Sequence, residues 1–204
     1  ATTEKHKIIP TILSRCQIFD FHRISVEDIT SRLVEVAQHE NIRYEDEALN
    51  IIALKADGAM RDALSIFDQV ASFSQRNITY AEVIENLNVL DYEYFFRLTE
   101  DFLNRNATGV MLLYNEILQR GFDGMNFLGG LSSHFRDLLV CRDESTLKLL
   151  EVSDSLKVRY RNQAGHCEPD FLFRALEICN QSELSYKAAR NPRLHVEIAL
   201  IRLC

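Results

Sequence analysis

The sequence predicts an all-α protein, on three observations. Only three prolines and seven glycines occur in 204 residues, which leaves little room for coil. Apolar residues recur at helical spacing along most of the chain. Capping residues stand where those patterns begin, and Pro10 and Pro192 sit where helices start. The hydrophobic fraction of 47% beside 26% charged residues is that of a globular protein, not a disordered one.

Each element follows from local chemistry. Pro10 suits the first turn of a short helix reaching Arg15, and residues 17–21 alternate polar and apolar like an edge strand. Ser25-Val26-Glu27-Asp28 resembles a capping box with Asp in place of Glu, opening a helix to about His39 with Ile29, Leu33, Val36 and Ala37 inward. A helix over Asp46 to Ala56 buries Leu49, Ile52 and Ala53, and Gly58 ends it. Another runs from Met60 to Phe73 with Ala63, Leu64, Phe67, Val70 and Ala71 on one face, and Thr79 caps a short one to Leu87. Longer amphipathic helices follow near 91–104, 107–120, 124–142, 145–162, 169–188 and 192–203. Leu128, Leu131, Phe135 and Leu138 repeat as they do in a packed bundle. The 91–120 hairpin is not copied downstream, which disfavours a solenoid.

Composition excludes several classes. The net charge is −7 and neither half is basic, so this chain alone does not grip a nucleic-acid backbone. No apolar run approaches the roughly 18 to 20 residues that span a bilayer, so no membrane partner is expected. Five cysteines at irregular spacing argue against a disulfide framework and for a reducing, cytoplasmic setting. The opening ATTEKHKIIP reads like the tail of a strand, which leads us to expect a fragment of a longer protein.

Chemistry concentrates in few places. In Gly58 to Gln69 the apolar stripe leaves Arg61, Ser65, Asp68 and Gln69 on the opposite side. Arg61 falls in the first helical turn, where the helix dipole disfavours a cation, so an anionic ligand would explain it. A surface pair with Asp57 or Asp62 would explain it too. Arg15, in Ser14-Arg15-Cys16, has the planar shape that meets phosphate bidentately, although an exposed arginine after a short helix is commonly just solvated. Thr3 could hold a water or phosphate oxygen, or serve β propensity alone. His166, Cys167 and Cys179 lack metal-ligand spacing, and Cys179 fits an apolar stripe with Leu172, Ala175 and Leu176, so no metal site is expected. No G-x-S-x-G and no G-x-x-x-x-G-K-[ST] loop is present.

Taken together, ATTEKHKIIPTILSRCQIFDF, GAMRDALSIFDQ and NPRLHVEIALIRL resemble the clamp-loader branch of the AAA+ ATPases, and within it the gamma/tau subunits of bacterial DNA polymerase III. The resemblance covers nearly the whole chain. It implies a remnant of the ATPase domain over 1–22 with a short strand, a helical lid over 23–90, and a helical-bundle collar for oligomerisation over 91–204. It also implies roles. Thr3 matches the sensor 1 position. Arg15 matches the arginine finger that acts in trans on a neighbour's ATP. Arg61 matches the sensor 2 arginine that contacts ATP in its own subunit. Lys5, Ala59 and His195 depart mildly from the family pattern, where a proline, a serine and a small apolar residue are common.

The parent implied is an ATPase subunit of the replicative DNA polymerase holoenzyme, a nucleotidyltransferase assembly. It would bind ATP and Mg and load the sliding clamp onto primed DNA. The fragment by itself would be inactive, with no cofactor bound. Its partners would be other loader subunits through the collar, with self-association possible. Rival readings are the lid of another AAA+ machine, such as a helicase loader or a recombination ATPase, and a plain helical scaffold. A winged-helix domain after the lid would favour those machines, and no β-hairpin signal follows here.

Overall fold

The computed structural model describes residues 7–150 and 152–204. Thr3 and Lys5 therefore lie outside the described residues. Among these residues are eleven α-helices and one two-stranded sheet. Pro10 opens α1 (Pro10–Leu13), a single turn with no buried side chain. Residues 17–24 then form neither helix nor strand, and Ile18, Phe19 and Phe21 are exposed. The edge strand expected at 17–21 is thus absent. A strand exists only when its backbone groups pair along a neighbouring strand, and residues 17–21 form no such ladder among the described residues.

Ser25 caps α2 (Val26–His39) by accepting the Asp28 N–H at 3.1 Å. After it come β1 (Arg43–Tyr44), α3 (Asp46–Lys55), α4 (Met60–Phe73), β2 (Asn77–Ile78) and α5 (Tyr80–Leu87). The capping box expected at Thr79 is complete, with Glu82 returning the bond to the Thr79 N–H at 3.2 Å. The parallel β1–β2 pair was not legible in sequence, because two residues per strand carry no periodicity. It ties the loop after α2 to the loop after α4. The turn after α3 becomes left-handed at Asp57 (φ 49) and stays so at Gly58 (φ 81), one residue earlier than a lone glycine stop would have it. Ile29, Leu33, Leu49, Ile52, Phe67 and Ile78 are among the residues of the resulting core.

The second half holds α6 (Tyr92–Leu103), α7 (Ala107–Gln119), α8 (Gly124–Val140), α9 (Asp154–Ala164), α10 (Pro169–Tyr186) and α11 (Pro192–Leu203). The stripe Leu128, Leu131, Phe135 and Leu138 is wholly buried, at the centre of a separate and larger core. The one long helix expected over 145–162 is split in two. A 3₁₀ turn spans Leu147–Leu149, and α9 begins only after Ser153, whose hydroxyl accepts from the Leu156 N–H. Local side-chain bonds win there. Thr146 Oγ1 donates to the Val140 carbonyl at 2.6 Å and Asp143 accepts the Ser145 N–H at 2.8 Å, which offers the backbone an alternative to helix. Leu150 and Val152 then turn into the core.

Candidate functional site

Arg15 follows α1 directly. Its N–H closes on the Ile12 carbonyl at 3.1 Å, and the Cys16 N–H on that of Leu13 at 3.3 Å, so the chain curls tightly around it. The guanidinium is exposed and makes no ion pair or hydrogen bond among the described residues. A cation held on a tight turn without a local partner is available to an anion from elsewhere.

Arg61 stands in the first turn of α4. The N-cap residue is Ala59, which has no side-chain acceptor, so the helix start keeps unsatisfied N–H groups. Both acids that could have neutralised Arg61 locally leave it free. Asp57 is engaged by Arg23, whose guanidinium meets the carboxylate and also donates to the Asp57 carbonyl at 2.9 Å. Asp62 is exposed and makes no ion pair with Arg61. The surface pairing that sequence offered as the ordinary explanation of Arg61 is therefore absent. Of the other residues on that face, Gln69 donates to Asn86 Oδ1 at 3.0 Å and fastens α4 to α5, and Ser65 donates to the Arg61 carbonyl at 2.9 Å. Those two are structural.

The segment carrying Arg15 is anchored at the turn carrying Arg61. The Ile24 N–H donates to the Gly58 carbonyl at 3.1 Å, and Arg23 lies so close over Gly58 that an added Cβ would stand 2.4 Å from its own. The two arginines themselves share no contact among the described residues.

No group of three His, Cys, Asp or Glu side chains converges on a common point among the described residues. Cys141, Cys167 and Cys179 are buried free thiols. Burial pushes the Cys167 thiol up to about 11 and that of Cys179 to about 12, so both stay protonated at neutral pH. His195, which departs from the family pattern, is half-buried and its Nε2 donates to the Ser182 carbonyl at 2.9 Å. It bonds α11 to α10.

One polar cluster escaped the sequence. His134 is fully buried in α8, with Nδ1 3.1 Å from the Tyr160 hydroxyl and Nε2 3.1 Å from Gln163 Oε1. Gln163 donates its amide to the Phe96 carbonyl at 2.8 Å, so its oxygen must accept. The proton therefore sits on Nε2, and Tyr160 donates to Nδ1. Burial drives the imidazole pKa down to about 3, and the nearby Arg159 charge acts in the same direction. The ring stays neutral, stacked beside Phe95 and edge-on to Phe96, and it joins α6, α8 and α9. A lone histidine within an apolar helical stripe was the available signal.

Comparison with known families agrees with this architecture. Residues 28–76 match the model of the DNA polymerase III clamp loader subunit ATPase lid domain. Residues 78–204 match that of DNA polymerase III subunits gamma and tau domain III. The chain belongs to the gamma and tau subunit family. Relatives include DNA polymerase III subunit tau of Bacillus subtilis strain 168, 32% identical over all of this chain and 36% of the relative. Subunit tau of Escherichia coli K12 is 30% identical over 99% of this chain and 31% of its own length. The chain thus spans about a third of the length of these relatives. Among solved structures, the Bacillus subtilis DNA clamp loader delta protein superposes with a TM-score of 0.51 over the whole chain and 63% of its own, at 16% identity. That likeness is one of fold. The lid match covers α2 to α4, and the domain III match begins at β2, so it takes in α5 together with the bundle of α6 to α11, although α5 packs with the core of the lid helices.

Proposed function

We propose that this chain is the lid and collar portion of a clamp-loader ATPase subunit, and that its two free arginines serve ATP sites in the assembled loader. Arg61 binds the phosphates of ATP held by its own subunit, as sensor 2. Arg15 reaches the ATP of a neighbouring subunit in trans and stabilises the charge that develops on the transferred phosphoryl group. Thr3 takes the sensor 1 role. ATP and its Mg would be held by an ATPase domain, with the lid supplying a cation to the nucleotide. The free state of Arg61, at an uncapped helix start where Asp57 is engaged by Arg23 and Asp62 makes no ion pair with it, is the observation that carries this reading.

In the working assembly the collar helices would pack against other loader subunits. ATP binding would open the sliding clamp, and hydrolysis would release it on primed DNA in the cytoplasm. The acidic net charge of −7 supports a division of labour in which DNA is held by other parts of the assembly.

The test joins this chain to an intact family ATPase domain and assembles it with its partner subunits. Arg15→Ala should lower ATP turnover at the neighbouring site by about three to five orders of magnitude while nucleotide still binds there. Arg61→Ala should weaken ATP affinity of the same subunit. Unchanged turnover in the first variant, or unchanged affinity in the second, would remove the corresponding role.

A further inference from the structure

The lid and the bundle are joined by a short connection and few ties. α5 ends at Leu87 and α6 starts at Tyr92. Between them Asn88 adopts left-handed backbone (φ 48, ψ 50), and the Val89 N–H closes on the Ile84 carbonyl at 3.0 Å. Among the described residues, no helix of the lid packs along a helix of the bundle. A cleft of about 920 Å³ separates them instead, walled by Ile51, Leu54 and Lys55 on one side and Phe95, Gly130 and Ser133 on the other. Tyr92 alone among the described residues packs against both cores.

Among the described residues, polar ties cross the gap at two ends. Tyr80, at the start of α5, donates its hydroxyl to Asp91 Oδ1 at 3.0 Å. That same oxygen caps α6 by accepting the Glu93 N–H at 2.9 Å. Tyr80 is itself fixed in the lid, because its N–H donates to Glu45 Oε2 at 2.7 Å. On the far side, Ser155 at the start of α9 donates to the Glu47 carboxylate of α3.

We propose that Asn88 to Leu90 form a hinge with Tyr92 as its bearing, and that the Tyr80–Asp91 bond is the strap holding the lid at the angle seen, with Glu47–Ser155 as a second, weaker tie. A rotation at the hinge must either drag the first turn of α6 with it or break the Tyr80 bond, because one carboxylate oxygen serves both. The strap is a property of this chain and does not depend on the nucleotide roles of Arg15 and Arg61.

The test measures distances between spin labels at exposed Ser72 on α4 and exposed Asn180 on α10, introduced as a non-natural amino acid so that the native cysteines stay. The native chain should give one dominant distance. Tyr80→Phe should raise the population at other distances by about tenfold or more, as losing one charge-assisted hydrogen bond does to a two-state equilibrium. Adding Ser155→Ala should raise it further. Tyr114→Phe, which removes one hydroxyl inside the bundle, should leave the native distribution. Should Tyr80→Phe fail to fold, Asp91→Ser carries the same expectation, since serine can still cap α6 while too short to hold Tyr80. Distributions that stay native in Tyr80→Phe and in its combination with Ser155→Ala would overturn the strap. So would a native chain already as broad as the variants, or a Tyr114→Phe chain as broad as Tyr80→Phe.

Discussion

Arg23 holds Asp57 twice, through the carboxylate and through the backbone carbonyl, and in doing so leaves Arg61 without a local counter-ion. The contact also fastens the segment after Arg15 to the turn that starts α4. Its strength does not lie mainly in the ion pair, because both side chains are more than two-thirds exposed (70% and 74%) and water screens them. The backbone beneath is what locks.

Gly58 is the test of that statement. Its φ of +81° disfavours any side chain, and an added Cβ would meet Arg23 Cβ at 2.4 Å. Gly58→Ala should cost about 1 to 3 kcal/mol of stability from backbone strain and displacement of Arg23. Arg23→Ala should cost less than about 1 kcal/mol. Urea unfolding of both variants decides the order, and a larger loss in Arg23→Ala would assign the junction to electrostatics.

Gly129 and Gly130 are neighbours in α8 with opposite surroundings. A Cβ on Gly130 would stand 2.5 Å from the tip of the Phe95 ring, which is buried in the domain III core, while one on Gly129 would meet nothing within 4 Å. Gly130→Ala should destabilise by about 1 to 3 kcal/mol through overpacking. Gly129→Ala should stabilise by up to about 1 kcal/mol, since alanine is the better helix former. Paired thermal melts read both signs directly.

How far sequence reached depended on what each residue answers to. Helices whose starts are written by caps or proline were legible, as at Ser25, Thr79 and Pro192, and so was the α8 stripe. The break at Leu150 to Ser153 was not, because it is set by hydroxyl-to-carbonyl bonds and by Leu150 and Val152 turning into the core. Arg15 and Arg61 could be named from motif spacing, yet Asp57 is given to Arg23 only by the fold, across 34 positions of sequence. The His134 cluster joins residues 26 and 29 positions apart, a separation that no local pattern encodes.

That cluster makes a prediction with a definite sign. The imidazole of His134 has a pKa of about 3 in the folded chain against an ordinary value of 6.5. Between those values the unfolded chain binds a proton there that the folded chain does not, so stability must fall as pH is lowered from about 6.5 toward 3. This one group should contribute a slope of about 1.4 kcal/mol per pH unit across that window, and nothing above it. His134→Gln removes the titration and leaves an amide that can still meet Tyr160 or Gln163. It should be less stable than the native chain at pH 7, because its shape does not refill the space beside Phe95 and Phe96. Subtracting its unfolding free energy from the native one across pH 4 to 7 cancels the carboxylates common to both. The native advantage should shrink steadily as pH falls. A pH-independent difference would mean that the folded chain takes up the proton at the ordinary imidazole pKa, and the neutral ring held by Tyr160 and Gln163 would be wrong.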